Sequence, residues 1–537
     1  MTRCFRLLNR LVFFPQLRPS PGVLALLGAL TLPGYAWIAW RYPLWDSFQW
    51  PRGGWFPPER AEWGPLPVHL AVYLALTLLW MGGLHVALAL GRRGERLARG
   101  LVVGIWLTAS LLLLAATPAG DSHDVYDYLY RGRLLVEQGV SPLAVAPQET
   151  VRQAFYRYTA WKRHVDTYGP VWEYASGGVS WLVQQGLRWR GAWAPTAPTC
   201  PLSERSCLML AAYVTGYRLL AILLAGVTGF FIYRLVSREE PAHSLAALVY
   251  WLWNPVVILA TALGAHNDAL MLVWLVGGLL CLQARRPTLA WLALLLAAHV
   301  KLTALIWAPL WGLWLWRQQG LGRAVGSGVV ALAVGLPVSW LLYRPLGGWE
   351  TLPRMLQERM LFVANSPWQL AYHLLREQGW PLEVARFYTI RVPTYLFVLL
   401  AVAASAWLAW RGASGSPGRQ LWRGMLLVAL LYLAVGSFWF QHWYVLWAAA
   451  PAALLPHGLM ARRVLPWLGW GALASNVVYD VLTRQPEPVV SRTALYAGMV
   501  AIIWGPALLA CAGLAWRRLR LRRLQGVEAS SWPSPAR

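Results

Sequence analysis

The chain has 537 residues, 58% of them hydrophobic and only 13% charged, with a formal net charge of +25. Ordinary soluble domains carry roughly a quarter charged residues, so a soluble globular protein is excluded, and the recurrent apolar runs must each satisfy their backbone as membrane-spanning helices. The basic excess does not mark a nucleic-acid binder: arginine clusters at "TRCFRLLNR", "RRGERLAR", "RLVSR", "ARRP", "RRV" and "RRLRLRR" fall on alternate sides of successive spans when both termini are cytoplasmic.

The predicted fold is an all-α polytopic bundle of about fourteen transmembrane helices with amphipathic helices in the outer loops. The opening "MTRCFRLLNR" and the apolar run after it have the outline of a signal peptide. No small-residue cleavage site follows, so the run is read as a retained first span. Spans are expected at 22–42, 67–90 and 101–118, within an N-terminal unit of residues 1–118. Asp46, Glu59 and Glu62 lie in its first outer loop and read as solvated.

Residues 119–206 form a large outer loop that begins "DSHDVYDYLYRGR". This reads as a helix start: Asp121 or Ser122 caps, Asp124 falls in the first turn, Asp127 faces Arg131 and Arg133 faces Glu137 at i,i+4 spacing, and Gly139 and Pro142 end it. A bland reading exists, since acidic residues at a helix N-terminus are favoured by its dipole. Further along, Asp166 and Glu173 flank the aromatic, glycine-rich turn "TYGPVWEYASGG", and Cys200 and Cys207 stand close enough in one loop to pair.

Residues 207–344 hold spans at 207–235, 243–261, 268–284, 288–300, 302–317 and 322–344. In "NPVVILATALGAHNDALML", His266, Asn267 and Asp268 sit where one span turns into the next, and polar residues at such depth are functional candidates by default. The pair at 288–300 and 302–317 is too short for two crossings and reads as two half-helices meeting at a polar turn, a construction tolerated only inside protein or beside a wet cavity. That turn carries His299 and Lys301, one of only two lysines in the chain, and a compact ammonium there suits a phosphate or carboxylate.

A second outer loop covers 345–387. The C-terminal unit, 388–537, adds spans at 388–410, 420–437, 443–459, 463–480 and 493–515, a turn "GSFWFQHW" with His442, Asp480 at a span end, and a basic cytoplasmic tail. Inner loops are short, and neither a Walker A pattern nor a dinucleotide fingerprint occurs, which argues against ATP-driven transport by this chain alone.

Carboxylates at Asp121, Asp124, Asp127 and Asp268 with cations at Arg131, Arg133 and Lys301 suit displacement of a sugar from a polyprenyl phosphate. The acceptor hydroxyl needs a base, and the leaving phosphate needs fixed positive charge or a metal ion. "DVYDYLYRGRLLVEQGVSPL", "YGPVW", "NPVVILATALGAHNDALML", "HVKLTALIWAPL" and "FQHWYVLW", in this order, together resemble the bacterial GT-C glycosyltransferases that use polyprenyl-phosphate sugars, most closely the polyprenyl-phosphomannose-dependent alpha-mannosyltransferases. The resemblance implies a bacterial cytoplasmic-membrane enzyme with its active site on the extracytoplasmic side, an inverting single displacement, a polyprenyl-phosphate-sugar donor, and a glycan or lipid acceptor. Mannose is implied by the resemblance alone, and a divalent metal is the one cofactor left open.

Carried onto this chain, Asp124 opens the "D-x-Y-x-Y-x-x-x-G-R" pattern and is the expected base, with Asp121 its rival. Arg133, Lys301 and Arg131 are the expected phosphate ligands, and His266, Asn267, Asp268, His442 and Tyr168 the expected substrate contacts. GT-C enzymes often carry the catalytic acid in the first outer loop, so Asp46 is the alternative if no extra spans precede the core. The rival from another class is a secondary transporter that uses Asp268, Lys301 and His442 as a relay. Against it stand the lack of an internal repeat and the weight of polar residues on one outer face.

Overall fold

The computed structural model describes residues 18–48, 64–91, 95–117, 122, 124–150, 154–194, 200, 203–410, 416–483, 485 and 487–530, without the side chains of residues 47, 95 and 518–530. Asp121, Glu59, Glu62, the basic opening and the end of the tail lie outside them. Among the described residues there is no strand, only isolated bridges that pair Pro43 with Ala116 and Ala364 with Trp439.

The helices are α1 (Pro21–Arg41, kinked after Ala29), α2 (Leu66–Leu90), α3 (Glu95–Leu113), α4 (Asp124–Arg133), α5 (Pro170–Trp189), α6 (Glu204–Glu239), α7 (Ser244–Leu252), α8 (Pro255–Leu263) and α9 (Asp268–Gln283). They continue as α10 (Pro287–Ala298), α11 (Ala308–Gln319), α12 (Leu321–Tyr343), α13 (Thr351–Arg359), α14 (Pro367–Glu377), α15 (Leu382–Trp410), α16 (Pro417–Leu431), α17 (Val445–Ala453), α18 (Leu465–Thr483) and α19 (Arg492–Ser530). Starts are set locally: Ser20, Ser203, Asn254 and Ser416 accept from backbone amides of the first turn, and proline occupies the first turn of α5, α8, α10, α14 and α16, where a missing N–H costs nothing.

Helix falls on each of the expected spans, and the all-α membrane fold holds. Seven helices among the described residues, α1, α2, α3, α6, α12, α15 and α19, are long and apolar enough to cross a membrane singly, and α7 with α8 makes one span bent by 50°. The count of fourteen is not reached on that measure: the chain is interrupted at Asn254–Pro255, at Arg286–Pro287 and at His299–Lys301, and α16, α17 and α18 also fall outside it. α7, α8 and α17 are buried on all sides and form the centre, whereas α12 turns Val325, Val329, Leu332 and Leu336 outward as a lipid-facing helix does.

Two residues on α6 fix the parts of the chain that bear the candidate site. Arg218, fully buried within a spanning helix, donates to the carbonyls of Leu113, Leu114 and Ala116 at 2.7–3.2 Å and to Leu263 at 2.9 Å. These carbonyls lie at and just past the end of α3 and at the end of α8, so one guanidinium caps both helices just before the chain enters α4 and α9. The Tyr217 hydroxyl, one residue earlier, meets Ser176 Oγ at 2.7 Å, Ser180 Oγ at 3.0 Å and the Tyr128 carbonyl at 3.1 Å, which clamps α4 and α5 to α6. Gly132 makes the approach possible, since a Cβ there would collide with Tyr217, Ser176 and Ser180. Cys200 and Cys207 are joined in a disulfide at the start of α6.

Candidate active site

The Ser122 hydroxyl accepts from the Asp124 amide at 2.9 Å and starts α4; Asp121, the other expected cap, lies outside the described residues. From there geometry sorts the charges. At about 100° per residue Arg131 lies about 20° from Asp124 around the helix, and Arg133 about 180° away. Asp124, Asp127, Tyr128 and Arg131 accordingly line one cleft, of about 270 Å³, and Arg133 does not. The cleft is completed by Trp161, His164, Asp166 and Tyr168 from the loop before α5, by Glu358, Arg359, Phe362 and Asn365 at the end of α13, by Trp439, Gln441, Trp443 and Tyr444 before α17, and by Asn476, Tyr479 and Asp480 of α18.

Asp124 is buried but opens on this cleft. Its Oδ2 accepts from the Tyr128 and Tyr168 hydroxyls, each at 3.4 Å, and lies 3.7 Å from His266 Nδ1. Burial pushes both phenols well above their ordinary range, which keeps them protonated as donors. His266 stacks on Trp443 with ring centroids 3.7 Å apart and meets His442 edge-on at 6.0 Å; His442 in turn bonds Asn476. The sharp turn that delivers His266 needs a left-handed residue, Ala265 at φ 54°.

Arg131 donates through Nη2 to the carbonyls of Trp161 (3.1 Å) and His164 (2.8 Å), and its Nε lies 3.6 Å from Asp166. Its Nη1 has no hydrogen-bond partner among the described residues. Asp127 accepts the amides of Ala160 and Trp161 at 3.0 and 3.1 Å, so it shapes the cleft wall, and burial pushes its pKa up to about 7 against the opposing pull of Arg131 and those amides.

Arg133 is spent elsewhere. It grips Glu137 in a two-pronged pair at 2.8 and 3.0 Å, donates to the Ala154 carbonyl at 3.0 Å and lies against the rings of Phe155, Trp193 and Tyr213. Lys301 is likewise paired, at 2.9 and 3.0 Å from the two oxygens of Asp268, whose Oδ1 also accepts from Trp447 Nε1 at 2.6 Å. The ammonium packs against Tyr168 and Tyr444, which line the cleft where Lys301 itself does not. Asn267 is buried next to Asp268 with neither side-chain polar atom hydrogen-bonded among the described residues. Asp46 sits half-buried on a short helix, Leu44–Ser47, and is not among the cleft residues. Glu173 is buried on the first turn of α5, where burial raises its pKa well above the carboxylate range, and it too is absent from the lining.

The scattered motifs meet here. The "YGPVW" turn docks on the break between α10 and α11 through Gly169 N to Val300 O and Val171 N to His299 O, both 3.0 Å, and a Cβ at Gly169 would strike the His299 carbonyl. Arg359 was not singled out from the sequence. It reaches the cleft from the second outer loop and donates to the Tyr444 hydroxyl at 2.5 Å. An arginine in an exposed-looking amphipathic segment gives no signal of its own, although it is the natural second cation for a phosphate.

Residues 52–317 match the family model described as alpha-(1->6)-mannopyranosyltransferase, N-terminal domain. Over 484 residues, 85% of this chain and 83% of the relative, the sequence is 24% identical to alpha-(1->6)-mannopyranosyltransferase A of Mycobacterium tuberculosis. Over 251 residues, 43% of this chain and 45% of the relative, it is 27% identical to the protein of the same name from Corynebacterium glutamicum. The matched region holds α4, the "HND" turn and Lys301. The chain is accordingly a multi-pass membrane glycosyltransferase whose sequence is similar to those of the bacterial alpha-(1->6)-mannopyranosyltransferases.

Proposed function

We propose that this cleft moves mannose from polyprenyl-phosphate mannose to a glycan hydroxyl at the extracytoplasmic face, with inversion. The observation that carries the proposal is the sharing of one cleft by Asp124, Arg131 and Arg359. Asp124 takes the proton of the acceptor hydroxyl as that oxygen attacks the anomeric carbon, and a single displacement from the face opposite the leaving phosphate inverts the centre. Tyr128, Tyr168 and His266 hold the carboxylate, and the two 3.4 Å contacts are long enough to yield to a substrate hydroxyl. Arg131, with Nη1 unpaired, and Arg359 face the phosphate on which negative charge develops. Arg133 and Lys301, first in line on sequence grounds, act in this scheme from outside the cleft, Lys301 by anchoring α9 to the α10–α11 break.

The sidedness rests on α6, whose 36 residues span about 54 Å. Its start lies beside the cleft loops, and its far end gathers Arg234, Arg238, Arg285, Arg286, Arg419 and Arg423, the distribution of a cytoplasmic face. Asp268 and Lys301, two of the three residues in the relay of the transporter reading, form an ion pair with one another at 2.9 Å.

The test is transfer of radiolabelled mannose from polyprenyl-phosphate mannose to a mannan oligosaccharide by purified protein in lipid, with and without divalent metal. Wild type is compared with Asp124→Asn and Asp46→Asn. Loss of about 100-fold or more in Asp124→Asn alone is the expected result. Full activity in Asp124→Asn, or proton-coupled solute flux in liposomes without transfer, would sink the proposal.

A further inference from the structure

Four rings stand at the cleft and take no part in the scheme above. Trp161 and His164 come from the loop before α5, Phe362 from the segment after α13, and Trp439 from the turn before α17. Centroids lie 5.2 Å apart for Trp161 and Phe362, 5.7 Å for Trp161 and Trp439, 5.6 Å for Phe362 and Trp439, and 5.1 Å for His164 and Phe362, all at steep interplanar angles. Each ring lines the cleft and is only half-buried, so each keeps surface open to it.

The rings are fixed from behind by polar contacts that an apolar patch would not need. Asp127 holds the Trp161 amide, Arg131 holds the Trp161 and His164 carbonyls, and His164 Nδ1 meets Glu358 at 2.6 Å. Two backbone bonds, Ala364 N to Phe438 O at 3.1 Å and Phe440 N to Ala364 O at 2.9 Å, tie the second outer loop to the third. The Ser366 hydroxyl adds a bond to the Phe438 carbonyl at 2.9 Å, and Trp368 Nε1 one to Val435 at 2.8 Å. Beside the rings, Asn365 and Gln441 also line the cleft. Asn365 is held in a left-handed conformation, φ 49°, with its amide on Gln369 Oε1 at 2.7 Å. Strained backbone of this kind is kept where the surroundings enforce it.

Tryptophans of an interfacial belt serve one by one and lie at headgroup level. These rings instead pack against one another, three pairs edge-on and Trp161 on Trp439 tilted, in the cleft that Asn365 and Gln441 also line. A pyranose fits that chemistry, because its C–H faces lie against aromatic rings while its rim of hydroxyls takes hydrogen bonds from amide side chains. A phosphate does not fit it, and an isoprenoid chain leaves Asn365 and Gln441 without use. We propose that Trp161, Phe362 and Trp439, with Asn365 and Gln441, form the subsite that seats a pyranose of the acceptor glycan, one residue removed from the attacking hydroxyl. The assignment to the acceptor rests on the transfer reading; the pyranose-binding surface does not.

The experiment uses the full chain in lipid nanodiscs with alpha-(1->6)-linked mannotriose as acceptor and probe. Wild type is set beside Trp439→Ala, Phe362→Ala, Trp439→Phe and, outside the cleft, Trp189→Ala, whose ring is 85% exposed. The acceptor KM should rise about tenfold in each of the first two, with the donor KM unchanged and most of the loss recovered by Trp439→Phe. Saturation-transfer NMR signals from mannotriose without donor should fall in the same variants and hold in Trp189→Ala. Transfer with an unaltered acceptor KM in both alanine variants overturns the subsite and leaves glycosyl transfer standing. Absent transfer, with saturation transfer still dependent on Trp439 and Phe362, removes the enzyme reading and keeps the sugar surface. Mannotriose that fails to contact wild type removes the subsite outright.

Discussion

Replacing Arg131 or Arg133 by methionine separates two cations two residues apart, of which the sequence pattern specifies only Arg133. Arg133 is 1% exposed and its partner Glu137 10%, so solvent screens their pair little. Its removal strands the Glu137 carboxylate and cancels a bond to the Ala154 carbonyl, and breaking a buried pair from one side costs about 3–5 kcal/mol. The variant should unfold at a clearly lower temperature, yet turn over with an unchanged donor KM wherever it is folded. Arg131→Met loses two carbonyl bonds, at about 1.5–3 kcal/mol for each bond to a charged group. It also takes a cleft cation from the phosphate, which should lower kcat/KM for the donor about 100-fold or more. The assay pairs thermal unfolding in nanodiscs with donor-dependent initial rates. Arg133→Met that is folded but inactive, beside Arg131→Met with wild-type donor kinetics, would refute the assignment of helix faces on which the site rests.

Three further outcomes follow from the same geometry. Asp268→Asn leaves the Lys301 ammonium buried and unpaired at a cost of about 3–5 kcal/mol, and the double variant Asp268→Asn with Lys301→Met should recover most of that stability, measured as unfolding temperature; a double variant as unstable as the single one would mean that the pair is not coupled. Asp127, with a folded pKa near 7 against an ordinary carboxylate value when unfolded, binds its proton more tightly in the folded state. Stability should therefore fall as pH rises from about 4 to 7, and Asp127→Asn should flatten that slope in unfolding scans across the range. Gly132→Ala forces a Cβ onto Tyr217, Ser176 and Ser180, and should lower both stability and transfer, while Gly139→Ala, which meets no neighbour but sits at φ 64°, should cost stability and leave transfer at wild-type levels.

The fold is legible in the sequence because lipid leaves the backbone no choice: apolar runs of spanning length are helices, and breaks announce themselves at Pro287 and the His299–Lys301 turn, whereas the bend at Asn254–Pro255 falls inside the single span expected at 243–261. The gathering of "DVYDY", "YGPVW", "HND" and "FQHW" at one end of the bundle follows from the chemistry they carry, although no spacing rule predicts that Gly169 docks on His299 or that His266 stacks on Trp443. The helical period of α4 carries a finer signal, because counting about 100° per residue from Asp124 already puts Arg131 and Arg133 on different faces. Arg218 carries another, as an arginine inside a spanning run that has to find acceptors, and the carbonyls it finds are the helix ends that bracket the site. Arg359 is out of reach of such reasoning, since its place in the cleft is made by tertiary bonds from the loop after α13 to the turn before α17. A site assembled from three loops, one short helix and the end of α18 takes its charges from wherever backbone geometry delivers them, so proximity in sequence to Asp124 decides less than which way each side chain faces.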